Sequence, residues 1–103
     1  MATLRDYHPR AAGVPWCRKE DYPAFLAIME DADGLPDAWE EFAKRTEQFE
    51  KRCEADGMLV VRAYIDPETF PAWCAAHGER VDSKGRARFA GITAAEKYGR
   101  NQS

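Results

Sequence analysis

The sequence predicts an α+β domain, mostly α, in the order helix–helix–strand–helix–helix. Three observations predict it. Apolar residues recur at helical spacing on both sides of residue 58. One segment, MLVVRAYI (58–65), alternates with a period of two instead and carries β-branched and aromatic side chains. Proline and glycine fall where these segments would begin and end. With 103 residues and 45% hydrophobic content the chain can build one core. A single domain over 19–98 is expected, with 1–18 as a flexible or extended arm and 99–103 as a frayed tail.

The arm lacks periodicity and contains Pro9, Gly13 and Pro15, with an extended piece around Ala12–Trp16 that Pro15 restricts to a sheet edge. The first helix is expected over Glu20–Asp31, where Tyr22, Phe25, Leu26 and Met29 make one apolar stripe and Gly34 supplies the stop. The second is expected over Pro36–Asp56. Trp39, Phe42, Thr46, Phe49 and Cys53 are spaced 3, 4, 3, 4 along it, the pattern of a packing seam, and Gly57 follows as a cap. The short loop between the two implies an antiparallel hairpin.

In the strand, Leu59, Val61, Ala63 and Ile65 share one face and Met58, Val60, Arg62 and Tyr64 the other. Asp66-Pro67-Glu68 then reads as a strand-to-helix junction, although Pro71 cannot donate a backbone bond, so either the first turn is irregular or the regular helix begins nearer Phe70. Phe70, Trp73, Cys74 and His77 form its stripe, and Gly78 ends it. A last helix is expected from Ser83 to about Tyr98, weakened at Gly85 and Gly91 by roughly 1 kcal/mol each relative to alanine.

A single strand cannot satisfy its own N–H and C=O groups. Three partners are open to it: the arm around Ala12–Trp16, the segment Glu79–Asp82, or the same strand of a second copy. The last needs no weak strand former, so a homodimer through 58–65 is expected, with Leu59, Val61, Ala63 and Ile65 as its strand residues.

Residues 58–98 resemble the ribbon–helix–helix repressors and antitoxins, in which a strand leads through a Pro-Glu junction into two helices. VVRAYIDPE, the helix through His77-Gly78 and the helix opening at Ser83 carry the likeness. It implies dimerisation through the strand and DNA reading by the outward strand side chains, here Arg62 and Tyr64. Pro71, the longer turn 79–82 and the apolar Met58 and Val60 depart from the pattern. More loosely, DYPAFLAIMEDADGLPDAWEEF and IDPETFPAWCAAHG look like stretches of small bacterial proteins, which implies no activity.

Net charge is −3, unevenly spread. Residues 20–56 hold twelve acidic against four basic side chains, while 1–19 hold four basic against one acidic and 77–103 six against three. Arg80, Lys84, Arg86 and Arg88 are the best nucleic-acid or partner contacts, yet an ordinary charged face explains them as well, and DNA is not favoured. Cys74 and His77 lie at i, i+3 and could begin a zinc site or a thiol–imidazole pair, but two ligands do not complete a site. They read instead as a core thiol and a helix-end imidazole. No phosphate loop or dinucleotide fingerprint occurs, and no cofactor is expected.

No run reaches the roughly 20 apolar residues of a membrane span, the N-terminus lacks a secretory apolar core, and three widely spaced cysteines suggest no disulfide framework. The expectation is a cytoplasmic, non-enzymatic protein that acts by binding another protein. A DNA-binding regulator or antitoxin is the alternative, followed by an acidic inhibitor, then a thiol or zinc enzyme.

Overall fold

The computed structural model describes residues 10–98. The proposed tail 99–103 and residues 1–9 of the proposed arm lie outside them. The order is β1 (Ala11–Trp16), α1 (Tyr22–Ile28), α2 (Trp39–Ala55), β2 (Leu59–Tyr64), α3 (Phe70–Ala76) and α4 (Ser83–Tyr98), with 3-10 turns at Lys19–Asp21 and Ala32–Gly34. The expected order is corrected at its start, where a strand precedes the first helix.

That strand answers the pairing question. β1 and β2 form a two-stranded parallel sheet with Ala11 opposite Leu59, Gly13 opposite Val61 and Trp16 opposite Tyr64. The pairing of β2 is therefore inside the chain, and the argument for a second copy from want of an internal partner falls away. AAGVPW is a poor strand by propensity, but tertiary context overrides propensity in sheets. A parallel pair needs a long crossover, which α1 and α2 supply. Residues 10–18 are not a loose arm: Val14, Trp16 and Cys17 are buried.

Helices cover both faces of the sheet, α4 on one and α2 on the other. On the α4 side the packing is tight because the residues are small. A Cβ at Gly13 would run into the backbone carbonyl of Ala90, and Ala63, Ala90 and Ala94 are almost wholly buried nearby. Gly85, which as a helix residue looked only like a weakness, has the same use: its missing Cβ makes room for the Arg80 carbonyl and for the Cys74 sulfur.

On the α2 side the core is aromatic. Phe42 lies 5.3 Å from Tyr22, 5.6 Å from Phe25 and 6.1 Å from Trp16, and Trp39 meets Trp16 edge-on at 6.0 Å. The polar ends are satisfied: Tyr22 donates to the Pro36 carbonyl at 2.6 Å and the Trp39 indole to the Cys17 carbonyl at 2.7 Å. The expected stripes are kept in part. Tyr22, Phe25, Met29, Phe42 and Cys53 are buried, whereas Phe49 is exposed.

The regular turn of α3 begins at Phe70, the second of the two readings that Pro71 left open. Asp66 caps the approach, its carboxylate taking the Glu68 N–H at 2.9 Å and its carbonyl the Phe70 N–H at 2.9 Å. Phe70 and Trp73 both meet Phe89 of α4 edge-on, at 5.6 and 5.1 Å. Gly57 and Gly78 take positive φ, 84° and 69°, at the ends of α2 and α3.

The C-terminal half is fastened by charge to the turn that follows α1. Arg86, nearly buried on α4, donates to both carboxylate oxygens of Asp31 at 2.8 and 3.0 Å. Those hydrogen bonds hold the Asp31 carboxyl below its ordinary range, against the opposing effect of partial burial. A carboxyl depressed in the folded state contributes stability above its unfolded pKa and loses it as pH falls through the folded value.

Two outcomes follow from this packing. Gly13→Ala should cost about 3 kcal/mol in urea unfolding because backbone cannot yield to the new methyl, whereas Gly91→Ala on α4, whose added methyl meets open space, should gain roughly 0.5–1 kcal/mol. Asp31→Asn should lower stability at neutral pH by about 1–3 kcal/mol through the stranded Arg86, and its unfolding midpoint should converge with that of the natural protein as pH is lowered below about 4.

Candidate functional site

The ladder fixes which backbone groups are used. Leu59 N–H reaches the Arg10 carbonyl at 2.8 Å and Ile65 N–H the Trp16 carbonyl at 2.9 Å, so the odd-numbered residues of β2 point their backbone groups at β1. In a period-two strand the even-numbered residues then point theirs away. Val60, Arg62 and Tyr64 turn N–H and C=O outward, and none has a backbone partner among the described residues. The outer edge of β1 is different. Its outward residues are Ala11, Gly13 and Pro15, and Pro15 has no N–H to offer.

The edge of β2 therefore presents a full set of donors and acceptors, with no proline and no bulge to protect it. Exposed apolar side chains flank it. Tyr64 is 56% exposed and Leu59 39%, two of the three large hydrophobic residues so exposed among the described residues. The other residues expected to form the strand's dimer face, Val61, Ala63 and Ile65, are buried within the chain.

Arg62 is not free to read bases. Its Nε and Nη2 donate to the two oxygens of Glu50 at 2.7 and 2.9 Å, Glu47 stands 4.0 Å away, and the guanidinium lies 3.9 Å from the Trp16 ring centre. Glu50 is itself a buried carboxylate, so this forked pair satisfies a charge that would otherwise be costly. Helix α2 thus lies over the strand face that the ribbon–helix–helix likeness would present to DNA.

The basic residues of the C-terminal half are also engaged. Arg80 Nε donates to Glu30 at 2.8 Å, Arg88 to Glu79 at 2.9 Å, and Arg86 to Asp31. Lys84 alone of the four has no ion pair among the described residues. The acidic helix is partly neutralised too, by Lys19–Glu40 at 2.7 Å and Arg45–Glu41 at 3.2 Å.

Cys74 and His77 are not brought together as a site. Cys74 is fully buried, and its thiol pKa is raised by burial and then by Glu79 and Asp82. The exposed His77 ring stacks on Trp73 at 4.0 Å with Nδ1 2.8 Å from the Trp73 carbonyl. Burial, with Asp21 nearby, pushes the Cys17 thiol up to about 12. All three cysteines are free and buried. Among the described residues no three His, Cys, Asp or Glu are gathered as metal ligands, and no helix is long and apolar enough to cross a membrane.

Two clefts among the described residues bear on this edge and on β1. One of about 250 Å³ lies between Val14 and Pro15 of β1, Leu35, and Phe42 and Phe49 of α2. The other, about 310 Å³, lies beside the open edge between Arg62 and Glu47, Glu50, Lys51 and Glu54. Sequence reasoning missed the first because it treated Phe49 as core and β1 as arm. Pro15 at an odd position of AAGVPW was the available signal, since it marks an outward-facing edge residue.

The chain matches no protein-family model, no curated protein and no solved structure.

Deprotonation governs thiol reactivity, so buried thiols with raised pKa should be inert. Native protein at pH 8 should take up a thiol reagent such as iodoacetamide far more slowly than urea-unfolded protein. Rapid native labelling at Cys74 would revive a nucleophilic role for it.

Proposed function

We propose that this is a small non-enzymatic interaction protein that docks a partner β-strand on the outer edge of β2, working in the cytosol with its thiols reduced. The open edge carries the proposal: three residues whose outward N–H and C=O groups have no backbone partner among the described residues, flanked by exposed Leu59 and Tyr64. Strand addition to such an edge is a general recognition mode in which main-chain bonds give affinity and neighbouring side chains give selectivity. The partner strand comes from a second copy of the chain or from another protein.

Catalysis has little to support it, since the thiols are buried and the exposed imidazole lies flat on Trp73. DNA reading has less support than strand docking, because Arg62, Arg80, Arg86 and Arg88 are already held by carboxylates. An acidic inhibitor is disfavoured by the basic side chains that answer Glu40, Glu41 and Glu50.

Tyr64→Pro removes one outward N–H without touching the ladder to β1, and Tyr64→Lys places a charge on the edge, a common protection of edge strands. Protein captured from lysate by the immobilised natural chain should be lost with both variants, each first shown to unfold cooperatively near the natural midpoint. Equal capture by all three would overturn the docking edge.

A further inference from the structure

We infer that the strand seated on the edge of β2 is the β2 of a second copy, antiparallel about a two-fold axis through Arg62. This rests on the docking reading and names its partner. The three outward residues, Val60, Arg62 and Tyr64, are spaced evenly about Arg62. An antiparallel two-fold there sets Arg62 against Arg62 of the second copy and Val60 against its Tyr64 on each side. Every outward N–H and C=O of the three residues then meets its complement, in the paired-bond pattern of an antiparallel ladder, with no group left over. The sheet becomes four-stranded, β1-β2-β2-β1, and its new outer edges are the two β1 strands, each carrying Pro15. Pairing thus hides the unprotected edge and leaves outside the one that proline protects.

Side chains agree with this register. Tyr64, the most exposed of the large apolar residues among those described, would lie beside the half-buried Val60 of the second copy, on the same face of the sheet, a favourable aromatic–β-branched pair. Like charges opposite one another are unfavourable in a sheet, so two arginines facing across the axis look like an objection. The Glu50 fork removes it: each guanidinium arrives already neutralised and held over its own Trp16.

Charge beside the edge is self-complementary as well. The cleft there is lined by Glu47, Glu50, Glu54, Lys51 and Arg62. Glu50 is consumed by Arg62, while Lys51 and Glu54 have no ion pair among the described residues. Because Glu50 sits over Arg62, the axis passes beside the middle of α2. Residues 47 and 54 exchange places across it, so each Lys51 lies between Glu47 and Glu54 of the second copy. A homodimer therefore answers the excess of negative charge in the cleft with the chain's own lysine. β1 offers no equivalent self-pairing edge, because Pro15 lacks the donor.

The experiment is light scattering behind size exclusion from low micromolar to sub-millimolar protein, with amide hydrogen exchange at both ends of the range. The expected result is a mass rising to twice the 11.7 kDa chain, with exchange at Val60, Arg62 and Tyr64 slowed only in the dimer. Tyr64→Lys should weaken association by about tenfold or more. Glu50→Gln should weaken it too, by unmasking the facing arginines, and Glu50→Gln combined with Arg62→Gln should restore part of it. A chain that stays at 11.7 kDa throughout overturns the second copy. The docking reading then stands or falls separately on lysate capture by the edge variants. A dimer whose three edge amides exchange as fast as in the monomer overturns the interface.

Discussion

The approach of β1 to α4 at Gly13 and Ala90 is the contact on which the rest of the structure depends. A two-stranded sheet is not stable on its own, and β1 contributes only six residues of modest strand propensity. It is held by burial between layers. The absence of a side chain at Gly13, together with the alanines facing it, lets a helix backbone settle directly on the sheet. On the other face Trp16 carries the aromatic core outward to α1 and α2. One strand thus belongs to a small-residue layer and an aromatic layer at once, and the order of all the helices follows from it.

The uneven distribution of charge along the sequence has a matching logic in space. The acidic segment 20–56 meets the basic residues on either side of it: Glu40 with Lys19, Glu50 with Arg62, Glu30 with Arg80 and Asp31 with Arg86. Charge segregation can mark a surface that steers a partner. Here it sorts the chain against itself, joining segments that are distant in sequence. The exposed pairs contribute little individually, but the partly buried Arg86–Asp31 and Arg62–Glu50 forks also fix orientation.

Much of the helical content was legible because its determinants are local. α4 opens at Ser83 as expected, α3 begins at Phe70, one of the two readings Pro71 left open, and Gly57 and Gly78 stopped their helices. The first strand was only half legible. Pro15 announced an edge, but nothing local in AAGVPW announces a core strand, since what makes it one is the smallness that admits Ala90. The candidate site was legible as a strand and not as an edge. Alternation separated the two faces of 58–65, yet which backbone groups face outward depends on the partner strand. Likewise, Arg62 looked free because Glu50 is twelve residues away, on a helix that only the tertiary fold lays across it.

The parallel pairing of β1 with β2 carries a consequence for synthesis. β1 leaves the ribosome before its partner, since Leu59–Tyr64 follows only after two helices and Ala90 later still. Local helices can form within microseconds, but the sheet closes only when distant parts of the chain meet, and such topologies fold more slowly. β1 must therefore wait, unpaired, until nearly the whole domain has been translated. Its alanines, glycine and proline make that wait safe, since a segment so poor in strand propensity is a weak template for premature pairing or aggregation. The weakness that hides β1 in the sequence is the same property that keeps a nascent chain out of trouble.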